Sequence, residues 1–356
     1  MLLDATSLRD PGSGLRGFGR YVRALLDSVP GVGGVELAAL TSGELDAPAG
    51  VRRVGVRRRM NGRWAYPEHV LRLGADIARA RPDVFHSPIN EPPTFCLRPW
   101  VQTLHDVIPL ISSSPVHTIE RSRWRWRAIS IRRADRVIAI TRHAADTGIR
   151  LLGLRPGRIR VIHHGVNPTF HAPKERGQPD PPYVLYVGGY GPDKGYPEAV
   201  ETIERLARMG FPHRLKIVGL VNEWARQFVD PLLAYTNRVD LLGAVPDEEL
   251  ETLYQQATAL VVTSRMEGFG RPPIEAMATA TPIVSFDNTA LPEVIGDAGI
   301  LIPDGDVAAF ADAVRGVILD DSLRAELAER AHARAKIFDW GRCAAEHAEV
   351  YRELVR

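Results

Sequence analysis

Two carboxylates, Glu267 and Glu275, stand eight residues apart in the stretch ALVVTSRMEGFGRPPIEAMATATPIVSF, residues 259–286. A carboxylate accepts hydrogen bonds from two adjacent hydroxyls at once, which is what a ribose diol or a sugar ring offers. Between the acids lie Gly268, Phe269, Gly270, Arg271 and a proline pair, Pro272 and Pro273. Proline in the first helical turn costs no hydrogen bond, so the pair predicts a helix start. The open N–H groups of such a start attract an anion. A sugar and a ribose joined by phosphates suit this spacing. The plainer reading leaves Glu267 as a solvated turn residue and Glu275 as an offset to the helix dipole.

The elements that must hold these residues follow from pattern. Leu260 to Val262 is a short β-branched apolar run, as expected of a buried strand. A helix carrying Glu275 to Ala278 stops near Thr281 and Pro282, and Ile283 to Phe286 forms the next strand. This is one β-α-β unit with a glycine turn at the carboxyl end of its first strand. Open parallel sheets hold their ligands at that edge.

Glu267 to Met277 resembles the signature E-G-F-G-x-P-x-x-E-A-M of retaining GT-B glycosyltransferases of family four, also called glycosyl transferases group one. The resemblance implies an α/β protein of two facing Rossmann-like domains, with parallel sheets and an interdomain cleft. It implies that Glu267 contacts a donor sugar and that the amides of Gly268, Phe269 and Gly270 face that sugar and its phosphates. Glu275 would bind the ribose. The chain departs from the pattern at Arg271, where an aliphatic residue is usual.

Other segments extend the resemblance. After the apolar run Tyr183 to Val187 comes Gly188-Gly189-Tyr190-Gly191-Pro192-Asp193-Lys194-Gly195. Without G-K-[ST] this is not a P-loop. The family places a lysine at the position of Lys194 to neutralise the donor diphosphate. The arginine that some members carry just before it is absent here. Arg271 then either replaces that cation or pairs with Glu275 one turn along the helix. Near the N-terminus, Gly17-Phe18-Gly19-Arg20-Tyr21 resembles the end of a loop whose amides meet the donor phosphate, with a helix expected from Arg20 to Ser28. His105-Asp106 ends the strand Trp100 to Leu104 and resembles a pair whose histidine approaches the donor sugar. Asp106 orients His105 or caps the next segment.

Several patterns point elsewhere. Gly12, Gly14 and Gly17 spell G-x-G-x-x-G, but the first glycine does not directly follow a strand, and Glu36 opens the next strand rather than closing it. A dinucleotide-dependent oxidoreductase is one alternative, and a non-catalytic protein binding a sugar nucleotide or a membrane is another. His163 and His164 are adjacent and point apart on extended backbone, which does not suit a metal. Asp304-Gly305-Asp306 is better read as a turn with Asp306 capping the following helix.

Composition bounds the rest. The 356 residues suffice for two domains, with 45% hydrophobic and 25% charged residues as in ordinary globular chains. Only Cys96 and Cys343 are present, so a disulfide framework is not expected and a reducing, cytoplasmic setting is. The first residues lack a basic, apolar leader pattern, and no run approaches the length needed to span a bilayer. Residues 1–173 carry +12 and residues 174–356 carry −10. The basic half suits an anionic acceptor or the anionic face of a membrane. Its densest part, ERSRWRWRAISIRR (120–133), reads as a helix with Trp124 and Trp126 on different faces. No nucleic-acid-binding module is visible.

The expected domains are 1–173, which would bind the acceptor, and 174–338, which would bind the donor. Residues 339–356 would return to the first domain, and the polar, proline-rich 171–182 would be the linker. The expected reaction moves a sugar from a nucleoside-diphosphate sugar to a glycan, lipid-linked or small-molecule hydroxyl, with retention. Glu267, His105 and Lys194 would do the chemistry without metal or other cofactor. The G-F-G-R-Y and H-D-x-I-P-L patterns resemble mannosyl- and rhamnosyltransferase-like members, which favours GDP-mannose as donor.

Overall fold

A computed structural model of the chain describes residues 1–9, 17–42, 46–56, 65–112, 117–173, 177, 179–221 and 223–355. Gly12 and Gly14, residues 57–64 and part of the expected linker lie outside the described residues. The chain divides into two compact units, Met1–Gly165 with Asp339–Arg356, and Val166–Phe338.

In the first unit the described residues form a parallel sheet of β1 (Leu2–Asp4), β2 (Ala38–Thr41), β3 (Arg52–Gly55), β4 (Phe85–Ser87), β5 (Trp100–Leu104), β6 (Arg136–Ala139) and β7 (Ile159–Val161). The order is β3-β2-β1-β4-β5-β6-β7. Register is set by apolar pairs such as Leu2 with Ala38 and Leu2 with Phe85. Each strand is short and nearly all its residues are buried in β1, β2, β4 and β5, as helices on both faces require. The helix Arg142–Leu152 begins where Thr141 accepts from the Ala144 amide and ends at Gly153 in the left-handed region.

The helix Trp340–Arg352, capped by Asp339, is part of this unit. A buried polar chain fastens it. Tyr21 Oη lies 2.7 Å from His347 Nε2 and 2.9 Å from Thr103 Oγ1. Thr103 Oγ1 meets His86 Nε2 at 2.8 Å, and His86 Nδ1 meets Tyr351 Oη at 2.8 Å. His347 Nδ1 donates to the Cys343 carbonyl at 2.7 Å. Each of these groups is removed from water, so each must be satisfied within the protein. Burial pushes the His347 imidazole down to about 4, and that of His86 well below the usual histidine range.

In the second unit the sheet contains β8 (Tyr183–Val187), β9 (Arg214–Val218), β10 (Val239–Gly243), β11 (Leu260–Val262), β12 (Ile283–Asp287) and β13 (Ile300–Pro303). Its order is β10-β9-β8-β11-β12-β13, again parallel. Both sheets therefore have the doubly wound order. The second reverses direction between β8 and β11, paired through Leu260 and Leu185. That reversal is where such sheets open a ligand crevice, outside the carboxyl ends of the strands.

Two expectations on boundaries change. The units part between Gly165 and Val166, whereas the proline-rich composition pointed to 173–174. Asn167 bonds Asp247 at 2.9 Å, the His171 amide bonds Glu251 at 3.0 Å, and Phe170 meets Tyr254 edge to face. These contacts belong to the second unit. The first glycine helix spans Gly17–Ser28 and so begins three residues before Arg20. N–H groups in a first helical turn have no intrahelical partner in any case, so glycine loses little there.

Candidate functional site

The loops that follow β8, β11 and β12 meet at the reversal of the second sheet. After β8 the chain passes Gly188 and Gly189 and enters a short turn, Pro192–Lys194. The Tyr186 hydroxyl, itself buried, lies 2.9 Å from the Lys194 carbonyl and 3.1 Å from the Gly189 carbonyl, which closes this loop on its own strand. Gly195 has φ +64°, and a Cβ there would stand 1.7 Å from the Thr263 carbonyl oxygen. Only glycine lets the two loops approach so closely. Thr263 Oγ1 then donates to the Gly195 carbonyl at 2.5 Å, and the Arg265 amide donates to the Asp193 carbonyl at 2.9 Å.

Glu267 lies in the turn after β11. Its Oε1 is 2.8 Å from Lys194 Nζ, with both side chains partly exposed. The Glu267 amide donates to Thr289 Oγ1 at 3.0 Å. Thr289 holds φ +47°, an outlying conformation for a β-branched residue. Asn288 Nδ2 donates to the Ser264 carbonyl at 3.0 Å and to Asp304 at 2.9 Å. Residues after β12 thus fix the loop that carries Glu267.

Gly270, at φ +95°, turns the chain into the helix Arg271–Ala278, whose first turn holds both prolines. Glu275 lies one turn in, its side chain only 6% exposed. Burying a carboxylate without partners costs several kcal/mol, on the order of the penalty for a buried ion. Here Oε1 accepts from Arg271 Nη2 at 3.1 Å and Oε2 accepts from Tyr254 Oη at 3.0 Å. Arg271 therefore pairs with Glu275, the second of its two expected roles. Phe269 is buried, edge to face with Phe338 at 5.8 Å.

Lys194, Glu267, Gly268, Phe269, Gly270, Arg271 and Glu275 are all held within the second unit, on loops and one helix start at one edge of one sheet. Tyr254, Asn288 and Thr289 belong with them and carry no local motif. The only sequence signal for Asn288 and Thr289 is their place just after β12, beside β11 in the sheet.

The remaining expected site residues lie in the first unit. Gly17 and Gly19 occupy the first turn of their helix, and Gly19 is buried. His105 follows β5 and is 3% exposed, beneath the edge of Phe18 at 4.6 Å and beside Tyr21 at 5.0 Å. Its Nε2 stands 2.7 Å from the Pro88 carbonyl, which can only accept, so Nε2 carries the proton. Burial pushes this imidazole down to about 4. A neutral ring with Nδ1 as acceptor follows, unsuited to proton donation near neutral pH. Asp106 accepts from the Ile108 amide at 3.0 Å, just before the next helix. His164 is buried and stacks on Tyr21 at 4.5 Å. Glu36 precedes β2 and is exposed at the amino end of that strand, the wrong end for a ribose-binding acid.

Comparison with known proteins supplies the family. Residues 169–334 match the profile of the glycosyl transferases group 1, and residues 15–170 that of glycosyltransferase family 4. The O-antigen chain mannosyltransferase B of Escherichia coli is 35% identical over 178 residues, 48% of this chain and 46% of that protein. The glycogen synthase of Mycobacterium tuberculosis is 30% identical over 307 residues, 79% of this chain and 70% of that protein. The crystal structure of HepE from Anabaena, in complex with UDP and glucose, superposes with a TM-score of 0.74 at 20% identity, over 98% of each chain. The chain spans about half the length of several of the curated relatives it matches.

Proposed function

The chain belongs to the glycosyl transferases group 1 and has the GT-B fold, and from that premise we propose that it transfers a sugar from a nucleoside-diphosphate sugar to a hydroxyl acceptor. The observation that carries this reading is the meeting of Lys194 with Glu267 at the reversal of the second sheet, on the loop that leads into the helix holding the buried Glu275.

The charges suit a diphosphate. Lys194 neutralises Glu267. A diphosphate brings more negative charge than one carboxylate and takes over Lys194. Glu267 is then released to accept from hydroxyls of the sugar. A carboxylate offers about four acceptor positions, two per oxygen. Arg271 and Tyr254 take one on each oxygen of Glu275. The position left on each oxygen matches the two hydroxyls of a ribose diol. In this reading Arg271 orients Glu275 and does not meet the phosphates.

In the transfer step the bond from the anomeric carbon to the diphosphate oxygen breaks. A bond to the acceptor oxygen forms on the same face, and the acceptor proton passes to the departing phosphate. Charge that builds on the diphosphate is met by Lys194 and by amides of the Gly268–Gly270 turn and the start of the Arg271–Ala278 helix. Glu267 eases the positive charge that develops on the sugar. His105 of the first unit, neutral with Nδ1 as acceptor, suits accepting from a hydroxyl and not proton transfer. The step is proposed to retain configuration and to need no metal.

The mannosyltransferase relative and the H-D-x-I-P-L pattern support GDP-mannose as donor, while the UDP and glucose of the HepE complex make UDP-glucose the comparator. A glycan, lipid-linked or small-molecule hydroxyl is the acceptor. A thermal-shift screen against nucleotide sugars, followed by assay of the stabilising donor for hydrolysis and transfer, tests the proposal. One donor is expected to raise the melting temperature and to be turned over. Stabilisation with no turnover would leave a non-catalytic binding protein, and a response to NADH alone would favour the oxidoreductase.

A further inference from the structure

The helix Thr118–Ile131 presents two unlike faces. Its inner face buries Trp124, 1% exposed, with Arg127, Ala128, Ser130 and Ile131. Arg127 is held there by Glu120 at 2.7 Å and Glu91 at 3.6 Å. The outer face runs Ile119, Ser122, Trp126, Ile129, Arg133, a helical three-four spacing that keeps all five on one side. Trp126 is 76% exposed and Ile119 68%. Arg125 is exposed beside them.

A neighbouring loop packs against the end of the helix. Ser130 Oγ donates to the Pro93 carbonyl, and Arg133 Nη1 lies 3.5 Å from the Thr94 carbonyl. These bonds set the 93–98 loop against the end of the helix, and Leu97 on that loop is 80% exposed. The acids nearby are occupied. Glu120 is turned to Arg123 and Arg127, and Asp135 accepts from the Trp100 amide at 3.0 Å. The outer face is thus apolar and basic, and Glu120 beside it is paired with arginines.

We propose that this face seats the protein on an anionic lipid bilayer surface. Protein interfaces bury a continuous apolar centre from which charge is depleted. Here Ser122 and Arg133 bound the Trp126–Ile129 pair and Arg125 flanks it, so the apolar centre stays small and charge lies at its edge. A bilayer surface accepts both components together. Trp and Ile enter the boundary between headgroups and chains, while the guanidinium groups stay with the phosphates. The +12 charge of residues 1–173 adds attraction at longer range. No helix among the described residues is long and apolar enough to cross a membrane, so the contact is at the surface.

Sedimentation of the full chain with vesicles of phosphatidylcholine alone, or of phosphatidylcholine with phosphatidylglycerol, tests the proposal. Binding is expected to the anionic vesicles only and to fall with added salt. Arg125→Glu is expected to weaken it about 30-fold, since each basic residue near the surface contributes roughly 1 kcal/mol and reversal counts twice. Trp126→Ser with Ile129→Ser should weaken it about as much. Loss of Trp126 should also remove a blue shift in fluorescence seen on adding anionic vesicles. All three side chains are exposed, so melting temperatures should match the wild type and donor turnover in free solution should not change. Equal binding to both vesicle types, or binding indifferent to the variants, would overturn the proposal. So would self-association in scattering that the Trp126 variant abolishes, because the stripe would then cover a second copy.

Discussion

Lys194 Nζ lies 2.8 Å from Glu267 Oε1 and joins the loop after β8 to the loop after β11 across 73 residues of sequence. These strands flank the point where the sheet reverses, so the pair marks the crevice of the fold. With both groups partly exposed, the pair contributes at most about 1 kcal/mol to stability. Its value is in what a ligand does to it.

Lys194→Ala should therefore leave the melting temperature almost unchanged and lower transfer by about 100-fold to 1,000-fold, the usual loss when one preorganised stabiliser of a leaving group is removed. Glu267→Ala should abolish detectable transfer while donor still binds. Steady-state kinetics with the stabilising donor checks both. A kcat within twofold of wild type in either variant removes the assignment.

Arg271→Ala and Tyr254→Phe each take one hydrogen bond from Glu275 and leave a buried carboxylate short of a partner. A hydrogen bond to a charged group is worth about 1.5–3 kcal/mol, so donor KM should rise roughly tenfold with kcat little changed. Arg271→Lys should restore part of the loss. If kcat falls instead and KM does not move, Arg271 meets the leaving group, as a replacement for the missing arginine would.

Gly195→Ala places a Cβ 1.7 Å from the Thr263 carbonyl on a backbone at φ +64°. The loops after β8 and β11 must then separate. Destabilisation of more than about 2 kcal/mol is expected, together with loss of nucleotide binding. Thermal melting with and without nucleotide measures it, and a wild-type melt would show that the loops are not held as described.

Acid should loosen the first unit before carboxylates are titrated. His105 and His347 are pushed by burial from 6.5 to about 4, and His86 is pushed down as well. As pH falls below 6.5 the unfolded chain takes up protons that the folded chain refuses, so stability declines, for His105 and His347 until their folded rings protonate near pH 4. Above 6.5 these groups contribute no pH dependence. Each adds a slope of up to about 1.4 kcal/mol per pH unit inside that window. Denaturant melts across the window check it; stability that is flat from 6.5 to 4 would mean the rings are not buried neutral.

The β-α-β unit around Glu267 was readable because apolar run, glycine turn and proline pair are all local signals. That Trp124 and Trp126 lie on different faces followed from helical spacing; which of them turns inward did not. What stayed hidden depends on distant contacts. Tyr254 reaches Glu275 across 21 residues and Thr289 reaches Glu267 across 22, and neither belongs to a motif. Composition misled at 171–173, where polar, proline-rich sequence looked like linker although His171 bonds the helix Asp247–Gln256. The histidine and tyrosine chain under the helix Trp340–Arg352 spans up to 326 residues and left no trace in the sequence.

Calorimetric titration of UDP, GDP and ADP into the wild-type chain and into Glu275→Ala tests the central claim most directly. One of the three should saturate wild type at a single site, and the variant should bind it at least about tenfold more weakly. Failure of all three to bind, or an affinity that does not change with Glu275, would contradict the account.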